Sequence, residues 1–254
     1  MCLLSFAYKV HPRYPLILIV NRDEFYRRAA RKAQFWTEEG EPDILAGKDL
    51  VAGGTWMGVH KNGKWGVLTN YRSFENIKED PPSRGDLVLN FLKQEKSPEQ
   101  YLTHLGQYAH AYNGFNLLLG NQREVFHYSN VSDAVSSLSP GVHGLSNALM
   151  NTPWPKVERA KANLQEAVDR DDTSFSRLFK ILADSTQAKE GQLPRTGLPL
   201  EMEKAVSSIF ITSKDYGTRC STLLFIDNKG KMKFVERTFS PDSTTPSAEV
   251  AFSI

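Results

Sequence analysis

The chain has 254 residues, 40% hydrophobic and 24% charged, with 31 Lys and Arg against 29 Asp and Glu. A formal charge of +2 leaves no strongly basic surface of the kind that nucleic acid or an anionic membrane demands. Two cysteines, Cys2 and Cys220, are too few for a disulfide framework and suit a reducing compartment. The expectation is a cytoplasmic protein with one domain over residues 1–254.

The amino terminus carries the most chemical information. Loss of the initiator Met1 makes Cys2 the first residue, so that a thiol and an α-amine with an unperturbed pKa of about 7.7–8.0 share one residue. Packing is the competing reading, because Cys in an apolar strand is most often a core residue. Residues 3–10 and 16–20 are β-rich and are joined by His11-Pro12-Arg13-Tyr14-Pro15, a turn whose prolines remove donors. That hairpin brings Cys2 toward Asn21-Arg22-Asp23-Glu24. The apolar run 16–20 is too short to span a membrane and lacks a cleavage pattern, so neither a targeting segment nor an integral membrane protein is expected. The basic run Arg27-Arg28-Ala29-Ala30-Arg31-Lys32 reads as a solvated turn or helix face.

Gly53-Gly54 precedes a second hairpin, residues 55–60 and 65–69, turned at Lys61-Asn62-Gly63-Lys64 and ending at Asn70-Tyr71. Ser83 and Asp86 have the spacing of a capping box, with Leu87, Val88, Phe91 and Leu92 at helical spacing behind them. A helix over 98–109 follows, then a hairpin of residues 115–119 and 124–128. Thr152 is the expected cap of a helix with Pro153 and Pro155 in its first turn, running through Val157, Ala160, Leu164 and Val168. Thr173 is the expected cap of another, whose stripe is Phe175, Leu178, Phe179 and Leu182. A Gly/Pro-rich loop over 189–199, a short helix over 201–209, a hairpin of 221–226 and 231–239, and a Ser/Thr/Pro-rich tail over 241–246, either loose or followed by a cover strand over 249–252, complete the chain.

Alternating hairpins and amphipathic helices predict an α+β fold of antiparallel sheets with helices covering sheet faces. No dinucleotide or Walker fingerprint is present, and the histidines at 11, 60, 104, 110, 127 and 143 form no metal-binding spacing, so neither cofactor nor metal is expected. Without a histidine partner in view, the α-amine is the natural base for Cys2. The reaction then needs an acid near the amine, an Arg to favour thiolate, and donors for an oxyanion; Arg22 and Asp23, with Asn70, Tyr71 and Asn147, are the candidates. Each has a bland reading beside it. Arg22-Asp23-Glu24 can be an ion-pair cluster, the asparagines can be turn residues, and Gly53-Gly54 can simply admit Trp56 to a packed corner.

Asn21-Arg22-Asp23-Glu24-Phe25 with Met1-Cys2, Gly53-Gly54-Thr55-Trp56-Met57-Gly58, Leu68-Thr69-Asn70-Tyr71, Tyr112-Asn113-Gly114-Phe115-Asn116 and Gly144-Leu145-Ser146-Asn147-Ala148 together resemble the NRDE family, also called the transport and Golgi organization protein 2 family. The resemblance spans essentially the whole chain. It implies the amino-terminal nucleophile hydrolase fold, a four-layer αββα sandwich. A more distant similarity to the cysteine-dependent branch of that superfamily, which includes penicillin V acylase and bile salt hydrolase, implies roles. Cys2 is then the nucleophile, Asp23 the acid, Asn70-Tyr71 a pair at the site, Asn147 a later donor and Arg219 an Arg on the last sheet. That branch separates its Arg from its Asp, whereas Arg22 and Asp23 adjoin, which leaves Glu24 as a rival acid.

Two functions follow from the resemblance. One is hydrolysis of a linear amide or acyl bond in a small or lipid-like substrate, with the Asn147 amide and the Tyr71 backbone N–H stabilising the oxyanion, and Arg22 and Arg219 holding thiolate or a substrate carboxylate. The other is non-catalytic binding and trafficking of lipid, acyl groups or haem in the pocket of a hydrolase fold. The first requires that Met1 leave.

Overall fold

The computed structural model describes residues 2–74, 77–241 and 243–254, with Cys2 described through its backbone alone; Met1, on which the processing expectation turns, lies outside them. The chain forms two compact units, residues 1–27 with 140–254, and residues 28–139.

The first unit is built on a six-stranded antiparallel sheet. Its strands are β1 (Cys2–Tyr8), β2 (Leu16–Phe25), β10 (Gly141–Leu145), β11 (Tyr216–Ile226), β12 (Met232–Phe239) and β13 (Pro246–Ser253), in the order β10-β1-β2-β11-β12-β13. Strand β2 runs five residues past the expected end at Val20, so Arg22, Asp23 and Glu24 lie within it. Period-two alternation sends Ile17 and Ile19 to one face, where they pack with Ala7, Leu223, Phe225 and Val235 against helices α3 (Pro155–Asp169) and α4 (Phe175–Leu182). Leu164, Leu178 and Leu182 complete that cluster, and each fully buried Leu contributes roughly 1.5–3 kcal/mol. Helix α4 starts one residue later than expected: its N-cap is Ser174, whose Oγ accepts from the Arg177 N–H, and not Thr173. Helix α3 starts after Trp154 with Pro155 at its first position, and Thr152 Oγ1 donates to the Leu149 carbonyl and caps nothing. The expected helix over 201–209 is α5 (Leu200–Ala205).

The second unit has a seven-stranded antiparallel sheet in chain order: β3 (Ala30–Trp36), β4 (Glu41–Asp49), β5 (Met57–His60), β6 (Trp65–Asn70), β7 (Phe115–Gly120), β8 (Val125–Ser129) and β9 (Ala134–Ser137). Arg31 and Lys32 lie in β3, so the basic run is no helix face; Arg31 instead pairs with Glu39, and Arg28 with Asp49. Helices α1 (Gly85–Lys93) and α2 (Pro98–Gly106) cover one face through Leu87, Val88, Phe91, Leu102 and Leu105, against Leu68, Phe115, Leu117 and Leu119. The Ser83 capping box does not form, since the N-cap of α1 is Arg84, which makes no side-chain capping bond. Ser97 makes one instead at α2: its Oγ accepts from the Gln100 N–H, and the Gln100 Oε1 accepts from the Ser97 N–H.

The family-like motifs in this unit are packing devices. A Cβ on Gly54 would strike the backbone of Gly85 and Asp86, so the loop before β5 lies directly on the start of α1. Trp56 lies over Gly47, where a Cβ has no room. Asn70 pairs with Phe115 and Thr69 with Asn116, which joins two of the motifs across one ladder. Asn130 closes the same corner: its Nδ2 donates to the Ala109 and Tyr112 carbonyls, and its Oδ1 accepts from the Phe115 N–H.

Candidate functional site

The register of the six-stranded sheet gathers most of the expected residues at one end. Cys2 pairs with Arg22, and Arg22 pairs in turn with Cys220 on β11. On the other side of β1 the last ladder pair is Leu4 with Leu145, so Asn147 follows two residues beyond, level with Cys2. Asn147, Cys2, Arg22 and Cys220 therefore form one row across four neighbouring chain segments. Adjacent strands lie about 4.8 Å apart, which puts the Cα atoms of Cys2 and Cys220 about 10 Å apart, beyond the ~7 Å limit for a disulfide.

Arg22 and Asp23 point to opposite faces, and this resolves their adjacency. The even-numbered positions Leu18, Val20 and Arg22 share one face, while Asn21 and Asp23 join Ile17 and Ile19 on the helix side. Asn21 is fully buried there, donating to the carbonyls of Leu182 at 2.8 Å and Ile209 at 2.9 Å and accepting from Ser221 Oγ at 2.6 Å. It thereby satisfies a carbonyl in the last turn of α4.

Asp23 is 1% exposed, and its Oδ1 accepts from Thr218 Oγ1 at 2.7 Å. Burial pushes its carboxyl pKa up, against the opposing pulls of Lys156, the Thr218 hydrogen bond and Arg22. Asp23 is the next position of β2 past the Cys2–Arg22 pair, on the side of the Cys2 backbone nitrogen. Glu24 is half-buried, lies on the Arg22 face, and its Oε1 accepts from the Phe25 N–H.

Arg219 owes its position to a β-bulge. The β2–β11 register shifts between Thr218 and Cys220, so Arg219 has no opposing residue and is swung out of the ladder. Its Nη1 donates to the carbonyls of Phe25 and Tyr26, and its guanidinium lies over the Tyr26 ring. Asn147 is fully buried, with its Oδ1 accepting from Ser146 Oγ at 3.3 Å, which orients the amide oxygen toward Ser146. Asn151 fixes this loop, exchanging two hydrogen bonds with the Gly144 backbone.

Asn70 and Tyr71 belong to the other unit, at the end of β6. One expectation fails there. The Tyr71 backbone N–H donates to the Gly114 carbonyl at 2.9 Å, continuing the β6–β7 ladder, so it is committed to the sheet and is not an oxyanion donor.

Lys156, Thr218 and Cys220 were not among the expected site residues. Lys156 is 2% exposed in the first turn of α3 and its Nζ donates to the Val206 carbonyl. Helical spacing carried the signal, since Lys156 lies four and eight residues before Ala160 and Leu164, a charge on an apolar stripe. Among the described residues, no three His, Cys, Asp or Glu side chains group closely enough to hold a metal ion, and no helix is long and apolar enough to cross a membrane.

Solved structures similar to this chain include the conjugated bile acid hydrolase of Clostridium perfringens. A mutant with alanine at its Cys2 aligns with a TM-score of 0.52 at 9% identity, covering 100% of this chain and 92% of that one. A second variant of the same hydrolase aligns at 0.50 and 9%, covering 99% and 92%. The likeness shows the fold: α+β with antiparallel sheets, of the amino-terminal nucleophile hydrolase kind. In sequence, the Transport and Golgi organization protein 2 homolog of Bos taurus is 34% identical over 262 residues, 93% of this chain and 92% of the relative. The Homo sapiens homolog is 34% identical over 258 residues, with the same two shares. An uncharacterized protein of Saccharomyces cerevisiae is 28% identical over 77% of this chain and 71% of its own length. The profile of the Transport and Golgi organisation 2 family matches residues 1–241, and the chain belongs to that family.

Proposed function

We propose that the protein is a cysteine amino-terminal nucleophile hydrolase that cleaves a linear amide or acyl bond in a small or lipid-like substrate. The observation that carries this reading is the row Asn147, Cys2, Arg22, with Asp23 one position beyond it on the amine side of Cys2. A structural neighbour at this fold is a hydrolase of conjugated bile acids studied with its own Cys2 replaced by alanine, which agrees with a nucleophile at that chain position.

Once Met1 is removed, the Cys2 sulfur attacks the substrate carbonyl carbon while the α-amine takes the thiol proton. A C–S bond forms, and the carbonyl oxygen gains charge that the Asn147 amide stabilises. Collapse breaks the bond to the leaving group, which departs with the proton returned by the α-ammonium. Water then attacks the thioester, again losing its proton to the α-amine, and the acid leaves as the proton returns to sulfur. Asp23 orients the amine and is favoured over Glu24, whose carboxylate serves its neighbour's N–H on the opposite face. Arg22 favours thiolate or holds a substrate carboxylate, and the bulge brings Arg219 to the same end of the sheet.

Intact mass of the protein purified from its own host, followed by incubation with a panel of N-acyl amides and thioesters, tests this. The expected result is loss of Met1 and an acyl adduct on wild type that is missing from Cys2→Ala. Retention of Met1 in the native protein, or equal turnover by Cys2→Ala, overturns the nucleophile; tight lipid or haem binding without turnover then favours the carrier.

A further inference from the structure

We infer that Thr218 is a positioning residue that fixes the Asp23 carboxyl on the amine side of Cys2, and that the bulge at Arg219 is what sets a threonine there. Its catalytic consequence rests on the function proposed above.

The register of β2 and β11 gives the first observation. Asn21 pairs with Ser221 and Arg22 with Cys220, so an unbroken ladder would set Arg219 opposite Asp23. The extra residue of the bulge takes Arg219 out of that place and puts Thr218 there instead. The exchange changes what the acid meets across the ladder. A guanidinium has the fork geometry to clamp both oxygens of a carboxyl, whereas a hydroxyl, with one proton, donates to only one of them. Thr218 therefore holds Asp23 without occupying the whole carboxyl.

Thr218 is itself held by a second segment. Its N–H donates to the Ile211 carbonyl at 2.8 Å, and its Oγ1 accepts from the Ile211 N–H at 2.9 Å, both residues being buried. With that N–H aimed at the hydroxyl oxygen, the single hydroxyl proton goes to Asp23 Oδ1, 2.7 Å away. Branching at Cβ stiffens the threonine rotamer, so the hydroxyl does not swing between partners. Strand β11 grips Asp23 a second time through its main chain, where the Tyr216 hydroxyl donates to the Asp23 carbonyl at 2.9 Å. Because Oδ1 accepts whether the carboxyl is charged or neutral, the contact sets the orientation of the group in either state. One residue thus fixes the acid and, by its place in the bulge, is followed by the arginine that leaves the ladder.

The test uses the full chain with Thr218→Val, Thr218→Ser, Asp23→Ala and the double variant Thr218→Val/Asp23→Ala. On an amide found by the acyl-adduct screen, Thr218→Val should lower kcat about 100-fold with KM within about twofold, the mark of a misplaced catalytic group. Thr218→Ser, which keeps the hydroxyl, should recover most of that loss. On top of Asp23→Ala, Thr218→Val should cost nothing more, since Thr218 acts through Asp23. Wild-type kcat in Thr218→Val, or an equal loss with and without Asp23, overturns the inference. A second readout is taken on wild type and needs neither turnover nor a folded variant. The Thr218 hydroxyl proton should be protected from exchange and give an NMR cross-peak to the Asp23 carboxyl carbon. A hydroxyl signal averaged with water overturns the contact, and this readout decides if Thr218→Val does not fold. The lack of an acyl adduct would end the proposed function, while the hydroxyl proton judges the hold of Thr218 on Asp23 by itself.

Discussion

In the seven-stranded unit most of the buried polar side chains are neutral, and three of them, Thr69, Asn116 and His127, are linked. His127 Nε2 and the Asn116 Oδ1 lie 3.1 Å apart, Asn116 Nδ2 donates to Thr69 Oγ1, and Ser129 Oγ donates to the Phe115 carbonyl. The Asn116 amide, by donating to Thr69, offers its oxygen to His127, so Nε2 carries the ring proton. Among the described residues of that unit the one buried charge, Lys64, donates to the Gln94 carbonyl just past α1, a favourable place for a cation. The six-stranded unit instead buries Arg22, Asp23, Lys156, Glu203 and Glu236. Neutral networks hold a sheet together cheaply, whereas buried charges are costly and are retained where chemistry or partner choice uses them. The difference favours the first unit as the place of the proposed site.

The sharpest way to break that assignment is Asn147→Ala. Loss of an oxyanion donor should lower turnover by roughly 100- to 1,000-fold with little change in KM for a slow amide. Steady-state kinetics on a substrate found by the acyl-adduct screen reads it, and wild-type kcat in the variant sinks the donor role. Asn116→Ala, equally buried but in the seven-stranded unit, should lower stability and leave kcat of the folded fraction intact.

The neutral network also sets a pH signature. Burial lowers the His127 pKa from 6.5 to about 4, so below pH 6.5 the unfolded chain takes up a proton that the folded chain refuses until about pH 4. Stability is thus lost as pH falls through that window and levels off beneath it, by about 3 kcal/mol from this group. Urea unfolding at pH 7 and pH 4.5 should show a steeper acid loss in wild type than in His127→Gln. Equal slopes would show that His127 is charged in the folded state.

Asn21 sharpens the comparison from the other side, as a neutral residue in the charged unit. Asn21→Ala removes two donations and leaves the Leu182 and Ile209 carbonyls and Ser221 Oγ without this partner, a cost of about 3 kcal/mol. The loss should appear in the urea midpoint. A smaller loss than Ser221→Ala alone would mean that the amide is not what joins α4 to the sheet.

Much of this was legible in the residues. The hairpins, the helical stripes and the fold class follow from periodicity and turn chemistry, whereas the strand was expected to stop at Val20, so the shared face of Asn21 and Asp23 with Ile17 and Ile19 emerged only with the full length of β2. Strands β3, β4, β9 and β10 were not legible. Their apolar residues are sparse or on exposed edges, as in β9, where all four residues are exposed, so pairing with neighbours and not local pattern makes them strands. The bulge at Arg219 depends on a register shift between distant strands, which no local window contains. Lys156 was visible as a charge on an apolar stripe, but its acceptor, the Val206 carbonyl, lies 50 residues away in the chain, beyond any local window.

The smallest effect separates two serines in the seven-stranded unit that look alike in sequence. Ser83 and Ser97 each precede a helix and have a potential partner three residues on, Asp86 and Gln100. Only Ser97 closes the reciprocal bonds, because Pro98 follows it with its φ already set for the first helical position, while the chain after Ser83 is held by Gly85 lying against Gly54 and Thr55. Ser97→Ala should therefore cost about 1 kcal/mol and Ser83→Ala no more than about 0.5, both without effect on turnover. Thermal melts of the two variants side by side check the order. Equal melting points would return the cap of α1 to Ser83, and a fall in kcat for either would bring the catalytic assignment into the second unit.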